Sequence, residues 1–364
     1  MAYTTIDDPS VYFQTQLYTG DGNSTKAITN TDNSDLQPDW LWIKNRSSSG
    51  GTGPNMIFDS TRGPTKDLHV NNSEAEHTNS NTCKSFNTDG FTVGDGGVVN
   101  NNTDNFVAWQ WKANGGTTSS NTDGSITSTV QANTTAGFSI VTYTGTGSTA
   151  TVGHGLGVKP SVIIIKARTE PTGGVHFGSD QGNWIVYHQG TASDPETDLL
   201  LLNEYDAAVD STGHMNDTAP TTSVFTIHTN VDVNESSDTY VAYCFAEKQG
   251  YSKFGSYTGN GNADGAFIYT GFKPAWVILK RSSGIADWNI FDNKRPNAFN
   301  EANGRLRAND NTTESTSDAG VDLLSNGFKC RLGSEFNASS TTNIYMAFAE
   351  HPFVSSKGVP TTAR

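Results

Sequence analysis

Cysteine is scarce in this chain of 364 residues: the three present, Cys83, Cys244 and Cys330, are odd in number, far apart and free of any CxxC spacing. That pattern supports neither a disulfide framework nor a zinc-thiolate site, so free thiols are expected, with Cys244 inside an apolar strand. Charge is also sparse, at 16% of residues, and hydrophobic residues reach only 34%. The core formers and helix-surface formers of a bundle or coiled coil are therefore missing. Positive charge is the scarcer sign, since 23 Lys and Arg against 37 Asp and Glu leave a formal charge of −14. A protein that gains affinity by neutralising phosphates needs the opposite balance, so nucleic acid is not an expected partner. No apolar stretch approaches the roughly 18 residues of a membrane span. The residues Met1 to Asp8 lack the basic and apolar regions of a signal peptide. The expectation is a chain made and kept in a cytoplasm, without membrane insertion.

Aromatic residues, in contrast, are plentiful: 18 Phe, 12 Tyr and 7 Trp. A chain this rich in Gly, Ser, Thr and Asn must bury such side chains to offset the entropy of ordering, which argues against disorder.

The sequence repeats itself three times. Tyr18-Thr19-Gly20-Asp21-Gly22 recurs as Tyr143-Thr144-Gly145-Thr146-Gly147 and as Tyr257-Thr258-Gly259-Asn260-Gly261. Each is followed by a proline and an apolar run, at Pro38 to Lys44, Pro160 to Lys166 and Pro274 to Lys280. A short strand comes next (Met56 to Asp59, Trp184 to His188, Trp288 to Asp292), then L-x-x-N at Leu68 to Asn71, Leu200 to Asn203 and Leu306 to Asn309. A Phe-centred strand follows around Phe91, Phe225 and Phe328, and an apolar strand closes each unit: Phe106 to Trp111, Tyr240 to Glu247 and Tyr345 to Glu350. Runs of four to eight residues rich in Val, Ile and aromatics, bounded by Gly, Asn, Asp or Pro, carry the strand and turn signature. The fold class expected is all-β: three tandem β-sandwich modules whose inner faces bury alternate side chains while outer faces carry Thr, Ser and Asn. The boundaries read 1–112 for module one, 113–135 for a Gly/Ser/Thr/Asn-rich linker with one short strand at 125–130, 136–250 for module two, 251–352 for module three and 353–364 for a tail. The tail is expected to fray or to dock on a neighbouring chain.

Gly145 to Ala150 fits the G-x-G-x-x-[GA] dinucleotide fingerprint, but no helix follows to present its amides to a pyrophosphate, so a hairpin turn is expected. Asn260 to Gly265 has the alternation of a calcium loop without its charge, and Asp232, Asn234, Glu235 and Asp238 form a second acidic turn; both read as solvated loops. Five of the eight histidines fall in module two, His176, His188, His214 and His228 among them, yet neither HExxH nor GxSxG occurs. His188 stands where the other modules have Asp59 and Asp292. The sequence thus assigns no catalytic residue, no cofactor-binding residue and no metal ligand. Residues common to all modules, such as Lys44, Lys166 and Lys280, are expected to serve the fold. Recognition is expected where the modules differ, at 50–55, 169–183, 205–220 and 294–304, through exposed aromatics and Asn or Asp suited to a sugar.

Four strings, Phe138 to Gly145, Gly153-His154-Gly155-Leu156-Gly157, Ser252 to Gly261 and Tyr345 to Pro352, resemble a repeat module of virion structural and tail-associated proteins of marine tailed phages. The resemblance covers nearly the whole chain and implies modules similar to the concanavalin-type lectin sandwich. It further implies a phage particle component with no catalytic motif to carry over; the first reading is a non-enzymatic tail fibre or other tail-associated protein, without cofactors, that adsorbs to host-surface glycan. The alternatives are a head decoration protein that braces the particle, or, third, a glycan-cleaving enzyme. Other virion proteins are the expected partners, and a homo-oligomer, guessed as a trimer, is expected from virion symmetry.

Overall fold

The computed structural model describes residues 2–47, 53–170, 182–295 and 300–361. It is all-β, with 42% strand and 5% helix. The first module contributes β1 (Phe13–Thr19), β2 (Lys26–Ile28), β3 (Trp40–Asn45), β4 (Asn55–Asp59), β5 (Gly63–His69), β6 (His77–Thr78), β7 (Cys83–Phe86), β8 (Phe91–Val93), α1 (Gly97–Asn100) and β9 (Asn105–Trp111). The second has β10 (Ser119–Asn121), β11 (Ser128–Asn133), β12 (Phe138–Thr144), β13 (Ala150–Gly153), β14 (Val162–Ala167), β15 (Ile185–His188), β16 (Asp198–Leu201), β17 (Val209–Asp210), α2 (Thr212–Met215), β18 (Val224–Ile227), α3 (Val231–Asn234) and β19 (Thr239–Phe245). The third has β20 (Ser252–Thr258), β21 (Phe267–Tyr269), β22 (Phe272–Arg281), β23 (Asn289–Asp292), β24 (Leu306–Arg307), β25 (Val321–Leu324), β26 (Gly327–Cys330) and β27 (Thr342–Pro352).

Each module is a large antiparallel sheet facing a small one. The large sheets run β1-β9-β3-β4-β5-β6, β10-β11-β12-β19-β14-β15-β16-β17 and β20-β27-β22-β23-β24; the small ones run β2-β8-β7, β13-β18 and β21-β26-β25. In all three the closing strand (β9, β19 or β27) is inserted between the opening strand and the strand of the apolar run. The segment 113–135, expected as a linker with one short strand at 125–130, supplies two strands, β10 and, overlapping the expected one, β11, which extend the large sheet of the second module. Gly145 to Ala150, expected as a hairpin turn, crosses between sheets: β12 pairs with β19 and β13 with β18.

The large sheets differ from the expectation of a polar outer face. On β3, Leu41 and Ile43 point into the core of their own sandwich, while Trp40 and Trp42 enter a second core built by all three modules. Ile164 on β14 and Trp276 with Ile278 on β22 enter the same core. At its centre the equivalent residues Trp111, Phe245 and Phe348 meet, with ring centroids 5.5 Å apart for Trp111–Phe348 and 5.9 Å for Phe245–Phe348. Both faces of these strands are buried, which is why their runs are continuously apolar. A cavity of about 10 Å³ remains there, lined by Trp40, Trp111, Trp276, His188 and aliphatic side chains.

The junctions between modules repeat cyclically. Lys44 Nζ donates to Asp310 O of module three at 2.9 Å, Lys166 Nζ to Ser73 O of module one at 3.0 Å, and Lys280 Nζ to Asp206 O of module two at 2.7 Å. Burial pushes each of these ammonium groups down to about 7. Trp184 Nε1 donates to His69 O and Trp288 Nε1 to Leu201 O, both at 2.8 Å, and Asn55 Nδ2 donates to the equivalent Arg307 O at 2.9 Å. Where module one has the smaller Asn55, Trp42 replaces the isoleucine of its counterparts Ile164 and Ile278 and donates Nε1 to Asn55 Oδ1 at 3.0 Å. The L-x-x-N asparagines fasten the neighbouring strand start: Asn71, Asn203 and Asn309 accept from the backbone N–H of Asn55, Trp184 and Trp288.

The second repeated device is the YTGxG turn. Tyr18, Tyr143 and Tyr257 each donate a hydroxyl to the carbonyl of Val99, Val233 or Phe336, the residue before a buried asparagine. Those asparagines, Asn100, Asn234 and Asn337, accept from the N–H of Asp21, Thr146 and Asn260 inside the turn. A Cβ on Gly145 would lie 2.2 Å from Glu235 O, and Gly147 has φ +71°, so the two glycines answer a close approach and a left-handed backbone.

Candidate functional site

The histidines of module two do not assemble a site. His176 lies outside the described residues. His188 Nε2 faces Tyr345 O of module three at 3.1 Å, His214 Nδ1 bonds Ser211 Oγ at 2.8 Å, and His228 Nδ1 bonds Thr149 Oγ1 at 2.5 Å. The calcium-like loop is committed as well, since Asp264 Oδ1 pairs with Lys329 at 2.5 Å and Asn260 Oδ1 accepts from Asn337. In the second acidic turn Asp232 is buried and accepts from the N–H of Gly182 and Asn183. Of the divergent loops, residues 50–52, 171–181 and 296–299 lie outside the described residues.

Two buried charge networks occupy junctions. Asp59 Oδ2 binds Arg62 Nε at 2.5 Å, and Arg62 continues to Glu76 at 3.0 Å and Glu76 to Arg168 of module two at 2.8 Å. Asp292, Arg295, Glu314 and Arg46 repeat the chain from module three to module one. Burial opposes ionisation of Asp292, but Arg295 and the Trp109 indole hold its carboxyl below the usual range. A cleft of about 120 Å³ between modules one and three contains Asp8, Asp32, Lys294, Glu350 and His351. Its carboxylates are already engaged: Asp8 by Ser10, Asn33 and Ser34, Asp32 by Lys294, Glu350 by Lys273.

Two features stand out against this committed background. The first is on β21, an edge strand of the small sheet of module three. Phe267 and Tyr269 alternate with the inward Ile268 and are 48% and 56% exposed, on one face. Their register partners are Lys329 and Gly327, and the Tyr3 hydroxyl donates to Gly271 O beside them at 2.7 Å. The equivalent positions by register are Ala27 and Thr29 in module one and Thr151 and Gly153 in module two, so the aromatic pair belongs to module three alone.

The second is a cluster on the β5–β6 hairpin of module one. Asp67 and His69 are two residues apart on β5, and His77 stands opposite Asp67 across the pair. Asp67 Oδ1 lies 3.8 Å from His69 Nε2 and 3.5 Å from His77 Nδ1, and one ligand atom from each residue falls within 4.8 Å of the others. Thr82 Oγ1 donates to Asp67 Oδ2 at 3.2 Å, and Glu74 Oε2 sits 3.2 Å from His69 Nδ1. Burial raises the Asp67 carboxyl and lowers the His69 imidazolium. Leu199 and Leu201 of module two, and Arg305 and Arg307 of module three, stand in place of Asp67 and His69. The sequence reading passed over this cluster; its one linear trace is Asp-x-His with a further histidine eight residues on.

Tandem β-sandwiches closed around one shared core define the class to which this protein belongs. Within that class the chain is a member of the family described as Domain of unknown function (DUF7483), which matches residues 8–352. The match spans all three modules, so the unit of the family is the whole ring of sandwiches. No curated protein matches the chain.

Proposed function

We propose that this protein is a non-enzymatic component of a phage particle that contacts host-surface glycan through the outer face of module three. The observation that carries this reading is the pair Phe267 and Tyr269, two large exposed rings two residues apart on the outer face of the small sheet. Exposed rings two residues apart on one face of an edge strand offer the apolar stacking surface that the C–H faces of a sugar ring select. Lys329, Asp322 and Arg331, linked by Asp322–Arg331 at 2.6 Å, supply polar groups on the same sheet. A bracing role on the head surface is favoured by a different observation, the single core shared by three modules, which suits a rigid wedge.

The test has two arms. Antibodies against the purified chain should label intact virions at the tail; labelling of the capsid lattice would select the bracing role, and absence of label would remove the particle assignment. The purified chain should bind host-cell polysaccharide, and the double variant Phe267→Ala/Tyr269→Ala should lose that binding while its melting temperature stays unchanged. Undiminished binding by the double variant overturns the glycan face.

A further inference from the structure

We propose that Asp67 Oδ1, His69 Nε2 and His77 Nδ1 are ligands of a first-row divalent transition metal of the zinc class, a site that is independent of the adsorption reading. The separations carry the argument. At 3.5 and 3.8 Å the two imidazole nitrogens are too far from Asp67 Oδ1 for hydrogen bonds. Asp67 is 2% exposed and its Oδ1 has no hydrogen-bond donor. A buried carboxylate oxygen without a donor is costly unless a cation reaches it. Ligands bonded at about 2.0–2.1 Å to one tetrahedral zinc stand roughly 3.4 Å apart, close to the spacing present here.

The surroundings are those of a metal centre and not of a chance ion pair. Thr82 fixes the second carboxylate oxygen, and Glu74 faces the far nitrogen of His69, the carboxylate–histidine arrangement that orients a ligating imidazole. Two nitrogens and one oxygen disfavour magnesium and calcium, which take all-oxygen shells, and favour zinc and its neighbours. His77 is half exposed, so the fourth position opens to solvent and takes water or a donor from outside. The metal would also tie β6 to β5 around Ser73 and Glu76, the two residues that hold Lys166 and Arg168 of module two.

The experiment uses the full untagged chain, stripped with a chelator and dialysed. Calorimetric titration with Zn²⁺ should give one equivalent per chain, and Co²⁺ should produce the visible ligand-field bands of a tetrahedral site. His77→Ala, at a half-exposed position, should lose more affinity than the ~10–100-fold typical of removing an outer partner, while Glu74→Gln should lose an amount within that range. Chelator should lower the melting temperature of the zinc-loaded parent and leave that of His77→Ala unchanged. Absence of Zn²⁺ binding, equal binding by parent and His77→Ala, or preference for Mg²⁺ or Ca²⁺ would each overturn the assignment.

Discussion

The Tyr243 hydroxyl of module two donates to Asp59 Oδ2 of module one at 2.7 Å, and at the next junction the Trp109 indole of module one donates to Asp292 Oδ2 of module three at 2.9 Å. One acceptor position is thus served by two different aromatic donors, because the register places Trp109 and Tyr243 alike opposite Trp42 and Ile164. Removal of the carboxylate leaves Arg62, whose side chain is fully buried, with Glu76 as its remaining carboxylate partner. Asp59→Ala should cost ~3–5 kcal/mol of unfolding free energy, the range for breaking a buried pair from one side. Tyr243→Phe should cost about 2 kcal/mol, as one hydrogen bond to a charged group. Urea unfolding of both variants checks the order, and equal costs would refute it.

Acid sensitivity follows from the third junction, where the carboxylate is replaced by His188. Burial pushes its imidazolium down to about 4, against the opposing pull of the Tyr345 carbonyl. An unfolded histidine titrates near ~6.5. Between those values the unfolded chain binds a proton that the folded chain refuses, so stability falls as pH drops from about 6.5 to about 4, by ~3 kcal/mol for this residue. His214, also pushed down to about 4 by burial, adds a second share in the same direction. His188→Gln should flatten the acid limb by this residue's share of ~3 kcal/mol. Denaturant midpoints at several pH values across this window decide it, and an unchanged slope would count against burial as the cause.

The first glycine of the turn should tolerate nothing larger. In Gly145→Ala the new methyl meets Glu235 O at 2.2 Å, backbone that is itself held by Tyr240, so a loss of ~3 kcal/mol or more is expected. Gly97→Ala is the control, with its nearest neighbour at 4.0 Å at the start of α1. It should be neutral or slightly stabilising. Thermal unfolding of the two variants provides the comparison.

The thiols should be silent in the native state. Cys83, Cys244 and Cys330 are free and buried, and burial pushes Cys244 and Cys330 up to about 12. A thiol reagent should detect none of them in native buffer and all three in denaturant. Rapid native labelling would mean that the sandwich cores open far more readily than their packing implies.

Strand identity and the threefold repeat were legible because they rest on local chemistry: Pro160 punctuates the run Val162 to Ile165 without reference to any distant residue. The shared core was written less plainly. Trp40-Leu41-Trp42-Ile43 is apolar at every position, the pattern of a strand covered on both sides, but sequence does not say what covers it. The strand expected at 125–130 overlaps β11, but the polar Gln131 and Asn133 hid its second half and its place in the large sheet, where it pairs with β12. The Asp67–His77 approach was illegible for a related reason: it depends on the register of β5 against β6, set by the fold around the intervening turn.

A genuine trimer would write every axial substitution three times, so a histidine at one corner would force histidines at the other two. Covalent fusion releases that constraint. Asp59, His188 and Asp292 share one station in the ring and have already parted company, and the same freedom gives one lobe its paired rings and another its imidazoles. Evolution can therefore edit each corner separately while the common hub stays fixed.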